Sequence, residues 1–199
     1  MLVTVQFHLC GGIDGKTTKK RCASYDPKRN KWKVRGSASV GVNHAAYCQA
    51  GNKLYMIAGR GGGNTVGAAK SVCQTYDVKS GRTGKCRSLP YPTGGVGNCI
   101  NSSGGLWVFG GELNHKQFAV YGSKVGGKKG GAGGTLSTVS YASKGKWLKR
   151  KRMPVAKHGI FPVVWGGYVY VAGGGVKAAN SASKTMHRAR MSVLKRCKA

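Results

Sequence analysis

The chain has 199 residues, enough for one domain of ordinary size. It carries 34 Lys and Arg against 4 Asp and Glu, so its formal net charge is +30. No stretch approaches the roughly 20 consecutive apolar residues that a membrane-spanning helix needs. The apolar opening from Met1 to Leu9 also lacks the cationic start of a secretory signal. A surface this cationic repels itself, and a polyanion is the partner that best offsets the repulsion.

Short apolar runs recur along the chain, and each is followed at once by small residues. They predict strands, because each run alternates or is continuously apolar over roughly 4–8 residues. The runs are Leu2 to Leu9, Lys53 to Ala58, Leu106 to Phe109 and Tyr168 to Ala172, and the pairs that follow them, each beginning with glycine, are Gly11-Gly12, Gly59-Arg60, Gly110-Gly111 and Gly173-Gly174. Downstream landmarks are Tyr25-Asp26, Tyr76-Asp77 and Tyr141-Ala142, then Trp32 and Trp147. Landmarks in a fixed order at a period of about 50 residues are typical of a solenoid, propeller or array.

These landmarks resemble the kelch repeat β-propellers. The segments YDPKRNKW (Tyr25 to Trp32) and HAAYCQAGNKLYMIAG (His44 to Gly59) are similar to the family's strand turn and to its hairpin before the glycine pair. Gly94 to Glu112 and His158 to Gly175 repeat the hairpin motif. The resemblance implies an all-β fold, a kelch-like β-propeller or partial propeller of about four four-stranded blades.

The resemblance covers nearly the whole chain, so we expect a single domain over 1–199 with units near 1–35, 36–86, 87–149 and 150–199. The first unit would lack its first strand. The sequence departs from the family at Thr83, where a tryptophan is expected, and at Arg190-Met191, where Tyr-Asp is expected. The glycine-rich cationic insertion 122–134 is predicted to be a mobile loop. Kelch propellers usually have more blades than four, so a small closed ring, an open arc and a fragment completed by another chain all stay open.

Catalytic and metal-binding patterns are scarce. The acids Asp14, Asp26, Asp77 and Glu112 lie far apart in sequence, so no pair for general acid–base catalysis is visible. The histidines lack the H-x-x-x-H and H-E-x-x-H spacings, and the cysteines include no C-x-x-C pair. We therefore predict no enzymatic activity, no metal and no cofactor. The resemblance implies that Asp26 and Asp77 have structural roles in turns.

Cysteine usage bears on the compartment. The 7 cysteines are an odd number, which would leave at least one unpaired in an oxidised, secreted chain. We expect small buried thiols in a reducing compartment.

Cationic residues are spread over several clusters rather than held in one tail. The densest run is KGKWLKRKRMP (Lys144 to Pro154). A solvated edge strand explains one such cluster, since lysine there blocks sheet-to-sheet pairing. Several clusters with almost no acids favour phosphate binding instead. The predicted RNA-binding residues are Lys19, Lys20, Arg21, Lys28, Arg29, Lys31, Lys33, Arg35, Lys128, Lys129, Lys144, Lys146, Lys149, Arg150, Lys151, Arg152, Arg188, Arg190, Lys195 and Arg196.

The leading hypothesis is a non-enzymatic scaffold that binds the RNA backbone within a ribonucleoprotein. Lysine outnumbers arginine, which favours neutralisation of phosphates over reading of bases. Trp32 and Trp147 are flanked by cations, but their repeat positions favour a structural role over base stacking. The predicted setting is a ribosome, with a mitochondrial or other organellar one favoured. DNA in place of RNA, and a kelch module that binds an acidic protein, are the alternatives.

Overall fold

The computed structural model describes residues 7–63 and 66–196. In this part of the chain nearly all regular structure is β, in six antiparallel sheets, none of which closes on itself. The expectation of an all-β fold is therefore confirmed. The strand expected from Leu2 to Leu9 is described from Phe7 onward, and residues 2–6 lie outside the described part, as does Cys197.

The strands are short and are joined by short turns in most places. Their bounds in the first half of the chain are β1 Phe7–Cys10, β2 Ile13–Asp14, β3 Thr17–Thr18, β4 Arg21–Asp26, β5 Lys31–Ser37, β6 Ala46–Ala50, β7 Lys53–Ile57, β8 Cys73–Asp77, β9 Thr83–Cys86, β10 Ile100–Ser102 and β11 Gly105–Phe109. In the second half they are β12 Glu112–Asn114, β13 Gly127–Lys129, β14 Gly133–Leu136, β15 Val139–Ser143, β16 Lys146–Arg150, β17 Val163–Trp165, β18 Tyr168–Ala172 and β19 Met186–Arg190. Two helices, α1 His115–Tyr121 and α2 Met191–Arg196, and a 3₁₀ turn at Ser123–Val125 complete the secondary structure of the described residues.

Four sheets follow one another along the chain. Sheet A has the order β1-β4-β5, sheet B β6-β7-β8-β9, sheet C β10-β11-β15-β16 and sheet D β17-β18-β19. One of these sheets falls in each of the four units expected from the repeat. A hairpin of β2 and β3 follows β1, and a small sheet β12-β14-β13 is inserted into sheet C. In sheets A to D, strands adjacent in the sheet are also consecutive in the chain, apart from those insertions.

Two-residue turns set the register of several hairpins. Ser103-Gly104, Lys144-Gly145 and Gly166-Gly167 each have positive φ at both positions. Such turns match the right-handed twist of the strands that they connect, and glycine adopts this backbone without a Cβ clash.

A pair of residues with left-handed backbone follows one strand of each main sheet. The pairs are Gly11-Gly12, Ala58-Gly59, Gly110-Gly111 and Gly173-Gly174, with φ between +60° and +113°. The second pair therefore begins one residue earlier than the sequence predicts. At Gly111 an added Cβ would overlap the Thr93 hydroxyl and lie 2.8 Å from the Gly94 carbonyl oxygen, so this close approach requires glycine.

In the first three pairs the second residue joins its sheet to the next sheet. Backbone N–H groups donate to backbone oxygens at 2.8–2.9 Å at three successive junctions, which are Gly12 to Val42, Gly59 to Thr93 and Gly111 to Lys157. Because the same bond recurs between A and B, B and C, and C and D, the four sheets repeat one packing arrangement.

The strand register corrects the repeat alignment in sheet C. Tyr25 pairs with Trp32 across β4 and β5, whereas Trp147 pairs with Ala142 across β15 and β16. Ala142, not Tyr141, therefore occupies the position of Tyr25. Since side chains alternate along a strand, Tyr141 points to the opposite face, where it packs with sheet D.

Buried apolar clusters fill the space between consecutive sheets, and their burial is the main stabilising contribution. The cluster between A and B includes Cys10, Cys22, Met56 and Tyr76, the one between B and C includes Ile57, Cys73, Cys99 and Val108, and the one between C and D includes Trp107, Phe109, Tyr141, Val169 and Val171.

Six of the seven cysteines form disulfides, so the expectation of reduced thiols is wrong for them. Cys10–Cys22 and Cys73–Cys86 each link neighbouring strands of one sheet, and Cys48–Cys99 links sheet B to the strand region that opens sheet C. Disulfides form and persist in oxidising compartments. The pairs therefore favour an oxidising compartment over the reducing one that the odd cysteine count suggests.

The insertion 122–134 is not a loop, in contrast to the prediction. It contains the 3₁₀ turn and β13, and it reaches into β14. Phe118 and Tyr121 of α1 pack against a buried cluster that includes Val125 and Leu136. A side chain at Gly127 would overlap the Phe118 ring, so glycine at this position allows the close packing of α1 on the segment.

Candidate functional site

Most of the predicted RNA-binding residues are exposed, and many lie on the outermost strands of the sheets. Eighteen of the twenty are exposed, the exceptions being Lys19 and Arg150. The edge strand β5 carries Lys31, Lys33 and Arg35, and the turn before it carries Lys28 and Arg29.

Sheet C has the same arrangement. Its edge strand β16 carries exposed Lys146 and Lys149, the turn before it carries Lys144, and Lys151 and Arg152 follow directly. The structure thus places two of the predicted clusters at equivalent positions of two sheets. Lys20 and Arg21 lie at the start of β4, while Lys128 and Lys129 lie on β13, away from the four main sheets.

The last cluster lies at the other end of the chain. Arg188 and Arg190 on β19 each stack over the ring of Tyr168, 5.2 Å from its centroid. Lys195 and Arg196 are exposed on α2, and the Lys195 ammonium donates to the carbonyl oxygen of Ser103 at 2.7 Å.

Two predicted residues are not freely available. Lys19 is half-buried and forms an ion pair with Asp14 at 3.1 Å. Arg150 is 9% exposed, and its guanidinium lies over the ring of Tyr141 at 5.4 Å from the centroid. The sequence gives no sign of this burial, because Arg150 lies within the four consecutive cations from Lys149 to Arg152.

The two tryptophans differ in their surroundings. The Trp147 side chain is half-buried against sheet B, and its Nε1 donates to the Arg87 carbonyl oxygen at 2.6 Å. Trp32 is 58% exposed, with its ring centroid 5.1 Å from that of Tyr25. A packing role therefore describes Trp147, while Trp32 lies on an open face of sheet A.

All four acids of the chain are engaged within it. Asp26 and Asp77 accept hydrogen bonds from backbone N–H groups of their own turns. Asp14 pairs with Lys19, and Glu112 is buried. Among residues 7–63 and 66–196, the exposed cations of β5, β16 and the turns before them therefore have no carboxylate partner, apart from Arg29, which contacts Asp26 at 4.0 Å.

A second candidate site is a buried polar cluster that the sequence analysis missed. Arg60 and Glu112 directly follow the left-handed pairs of sheets B and C, so the repeat brings them together from 52 residues apart. The Arg60 Nη1 donates to Glu112 Oε1 at 2.6 Å, with side chains 7% and 2% exposed. In the sequence, the feature that points to this contact is that both residues follow equivalent glycine-containing pairs.

Two histidines flank this ion pair. Arg60 Nη2 lies 3.1 Å from Nε2 of His44, and Nδ1 of His158 lies 3.6 Å from Oε2 of Glu112. The Ala179 N–H also donates to Glu112 Oε2 at 2.8 Å. Burial, then the nearby Arg60 charge, lowers the pKa of His44 from its usual value.

These side chains line a cavity of about 540 Å³, together with Tyr47, Phe161 and Asn180. Arg60 and Glu112 neutralise each other within the cluster, so the charges of this pair do not need a partner from the cavity. No group of three His, Cys, Asp or Glu side chains in residues 7–63 and 66–196 is arranged to hold a metal ion. Among the described helices, neither is long and apolar enough to cross a membrane.

Comparison with known proteins adds a likeness in structure alone. No family model matches the chain, and no curated protein does. Among solved structures the chain is similar to YjhT, with a TM-score of 0.65 and 18% sequence identity. The match covers 85% of this chain and 49% of YjhT, so the chain spans about half of that protein. At this identity the likeness concerns the fold.

Proposed function

We propose that the chain is a kelch-like β-propeller, or an arc of one, in which sheets A to D are the blades. The recurring left-handed pairs and the junction hydrogen bond repeated three times support this arrangement. Consecutive sheets joined through buried apolar clusters are also what radial packing of blades requires.

On this scaffold we assign a non-enzymatic function, binding of the RNA backbone through a cationic belt. The belt consists of the exposed cations of β5 and β16 with their preceding turns, namely Lys28, Arg29, Lys31, Lys33, Arg35, Lys144, Lys146 and Lys149. The single observation behind it is that three of the four acids are engaged elsewhere and Asp26 contacts only Arg29, so these equivalent edges stay cationic. Neutralising phosphates releases counterions, so the affinity should fall steeply with salt.

The disulfides change the expected setting. Three disulfides favour an oxidising compartment, whereas ribosomes work in reducing ones. We therefore propose binding to the RNA backbone without a ribosomal or mitochondrial location.

The test is a fluorescence titration of the purified chain with labelled single-stranded oligouridine at several NaCl concentrations. The triple variant Lys31→Gln, Lys33→Gln, Arg35→Gln should lower the affinity. It should also reduce the slope of log K against log salt by about 2, since each single-strand phosphate contact contributes about 0.7. The variant's circular dichroism should match that of the parent, because these side chains are exposed.

A matched control removes three exposed cations that lie away from the belt, with Lys16→Gln, Lys116→Gln and Lys184→Gln. It has the same net charge as the first variant and should retain most of the salt slope. Equal losses in both variants would show that only total charge matters and would refute a localised belt. Capture of an acidic protein that survives nuclease treatment, with no RNA bound, would support the interaction module instead.

A further inference from the structure

Three cationic side chains are buried in the described part of the chain, and two of them have partners. Arg60 is paired with Glu112. Lys157 is fully buried, and its ammonium donates to two backbone carbonyl oxygens at 2.7 and 2.8 Å. Arg150 is the exception. The protein otherwise satisfies the cations that it buries, so the surroundings of Arg150 require an explanation.

Arg150 is 9% exposed, and its Nε atom is buried without a hydrogen-bond partner among the described residues. No carboxylate within residues 7–63 and 66–196 lies at ion-pair distance from it. Its guanidinium is stacked on Tyr141, and a cation–π contact offsets only part of the hydration that burial removes. The buried Nε–H of Arg150 therefore lacks an acceptor among the described residues.

The space beside Arg150 is a shallow depression lined by three more cations. Lys124 comes from the 3₁₀ turn, Lys149 from β16, and Arg152 from the segment after it. Thr138 also lines the depression; it is 7% exposed, and its hydroxyl lies beside the Tyr91 hydroxyl but makes no hydrogen bond of ordinary geometry among the described residues. None of the residues that line it is acidic.

Local packing brings these cations together. A Cβ at Gly126 would lie 2.7 Å from Cδ of Arg152, so the glycine lets this side chain lie across the turn that carries Lys124. The depression has a volume of about 10 Å³, room for one oxygen-sized group. The residues that line the depression include four cations and no acid, so an anion there would relieve their mutual repulsion.

We infer that this depression binds one tetrahedral oxyanion, a phosphate or sulfate group. One anion oxygen enters the depression and accepts hydrogen bonds from Arg150 and the Thr138 hydroxyl. Lys124, Lys149 and Arg152 contact the remaining oxygens at the surface, where charge-assisted bonds are strong. Free ions and esterified groups on a polymer share this chemistry. The site goes beyond the RNA proposal and does not depend on it.

The experiment measures the melting temperature of the full chain as sodium phosphate or sulfate replaces NaCl at constant ionic strength. Both anions should raise the melting temperature of the parent above its value in chloride. Arg150→Met should abolish this rise and leave the protein in chloride as stable as the parent or more so, because an unpaired buried charge is removed. Arg152→Gln, an exposed substitution that does not threaten folding, should weaken anion binding about tenfold.

The matched control is Arg188→Met, because Arg188 also stacks on a tyrosine but is exposed and lies outside the depression. It should retain the full rise. An undiminished rise in both Arg150→Met and Arg152→Gln would overturn the inference, as would no rise in the parent. The same variants are also titrated with oligouridine and with a sulfated oligosaccharide. These polymers carry esterified phosphate and sulfate groups, so the titrations distinguish polymer-bound groups from free ions. If Arg150→Met loses the phosphate response but binds RNA normally, the site takes free anions, and the RNA belt, which shares Lys149 with it, does not require an occupied site.

Discussion

Arg60 and Glu112 form an ion pair that lies almost entirely out of water. Each Glu112 oxygen has its own donor, since Oε1 accepts from Arg60 and Oε2 accepts from the Ala179 N–H. A buried pair of this kind adds little net stability relative to apolar residues, but loss of one member leaves an uncompensated buried charge. The integrity of the junction between sheets B and C therefore depends on both members.

Glu112→Gln should lower the free energy of unfolding by about 3–5 kcal/mol, because Arg60 loses its counter-charge. In addition, the side-chain amide of the new glutamine must place its NH₂ group against one of two donors, the Arg60 guanidinium or the Ala179 N–H. Urea unfolding measures the change. Asp14→Asn is the control, since it breaks an exposed ion pair with Lys19 and should cost about 0–1 kcal/mol. Similar losses in the two variants would contradict the distinction between buried and exposed pairs.

The elements show what the sequence could and could not predict. The strands around the glycine pairs were predictable, because short apolar runs that end at small residues are typical of β-strands. The one-residue error at Ala58-Gly59 arose because Ala58 adopts a left-handed backbone that glycine usually takes, with φ of +63°. The equivalent repeat positions of Arg60 and Glu112 marked them as a possible pair, but their contact depends on which sheets become neighbours in space, as does the Cys48–Cys99 disulfide.

Gly111→Ala tests whether the close approach of Gly111 to Thr93 and Gly94, at the junction where sheet C begins, requires glycine. Its φ of +113° disfavours alanine, and the added Cβ would overlap the Thr93 hydroxyl, so we expect a loss of about 3–4 kcal/mol. Gly166→Ala also has a positive φ, +55°, but its Cβ would meet nothing within 4 Å and should cost about 1 kcal/mol. Urea unfolding compares the two, and equal costs would mean that close packing at the junction contributes nothing.

On the scale of the whole molecule, a net charge of +30 acts against the compact state, because 34 cations are brought closer together than in the unfolded chain. Raising NaCl from about 10 mM to about 100 mM shortens the Debye length from about 30 Å to about 10 Å. The melting temperature should therefore rise with NaCl, by about 2–4 °C for each kcal/mol of repulsion that is screened. Sucrose, which screens no charge, serves as the control for general stabilisation by solutes. A melting temperature that is unaffected by NaCl over this range would mean that the folded chain does not carry the repulsion implied by its composition.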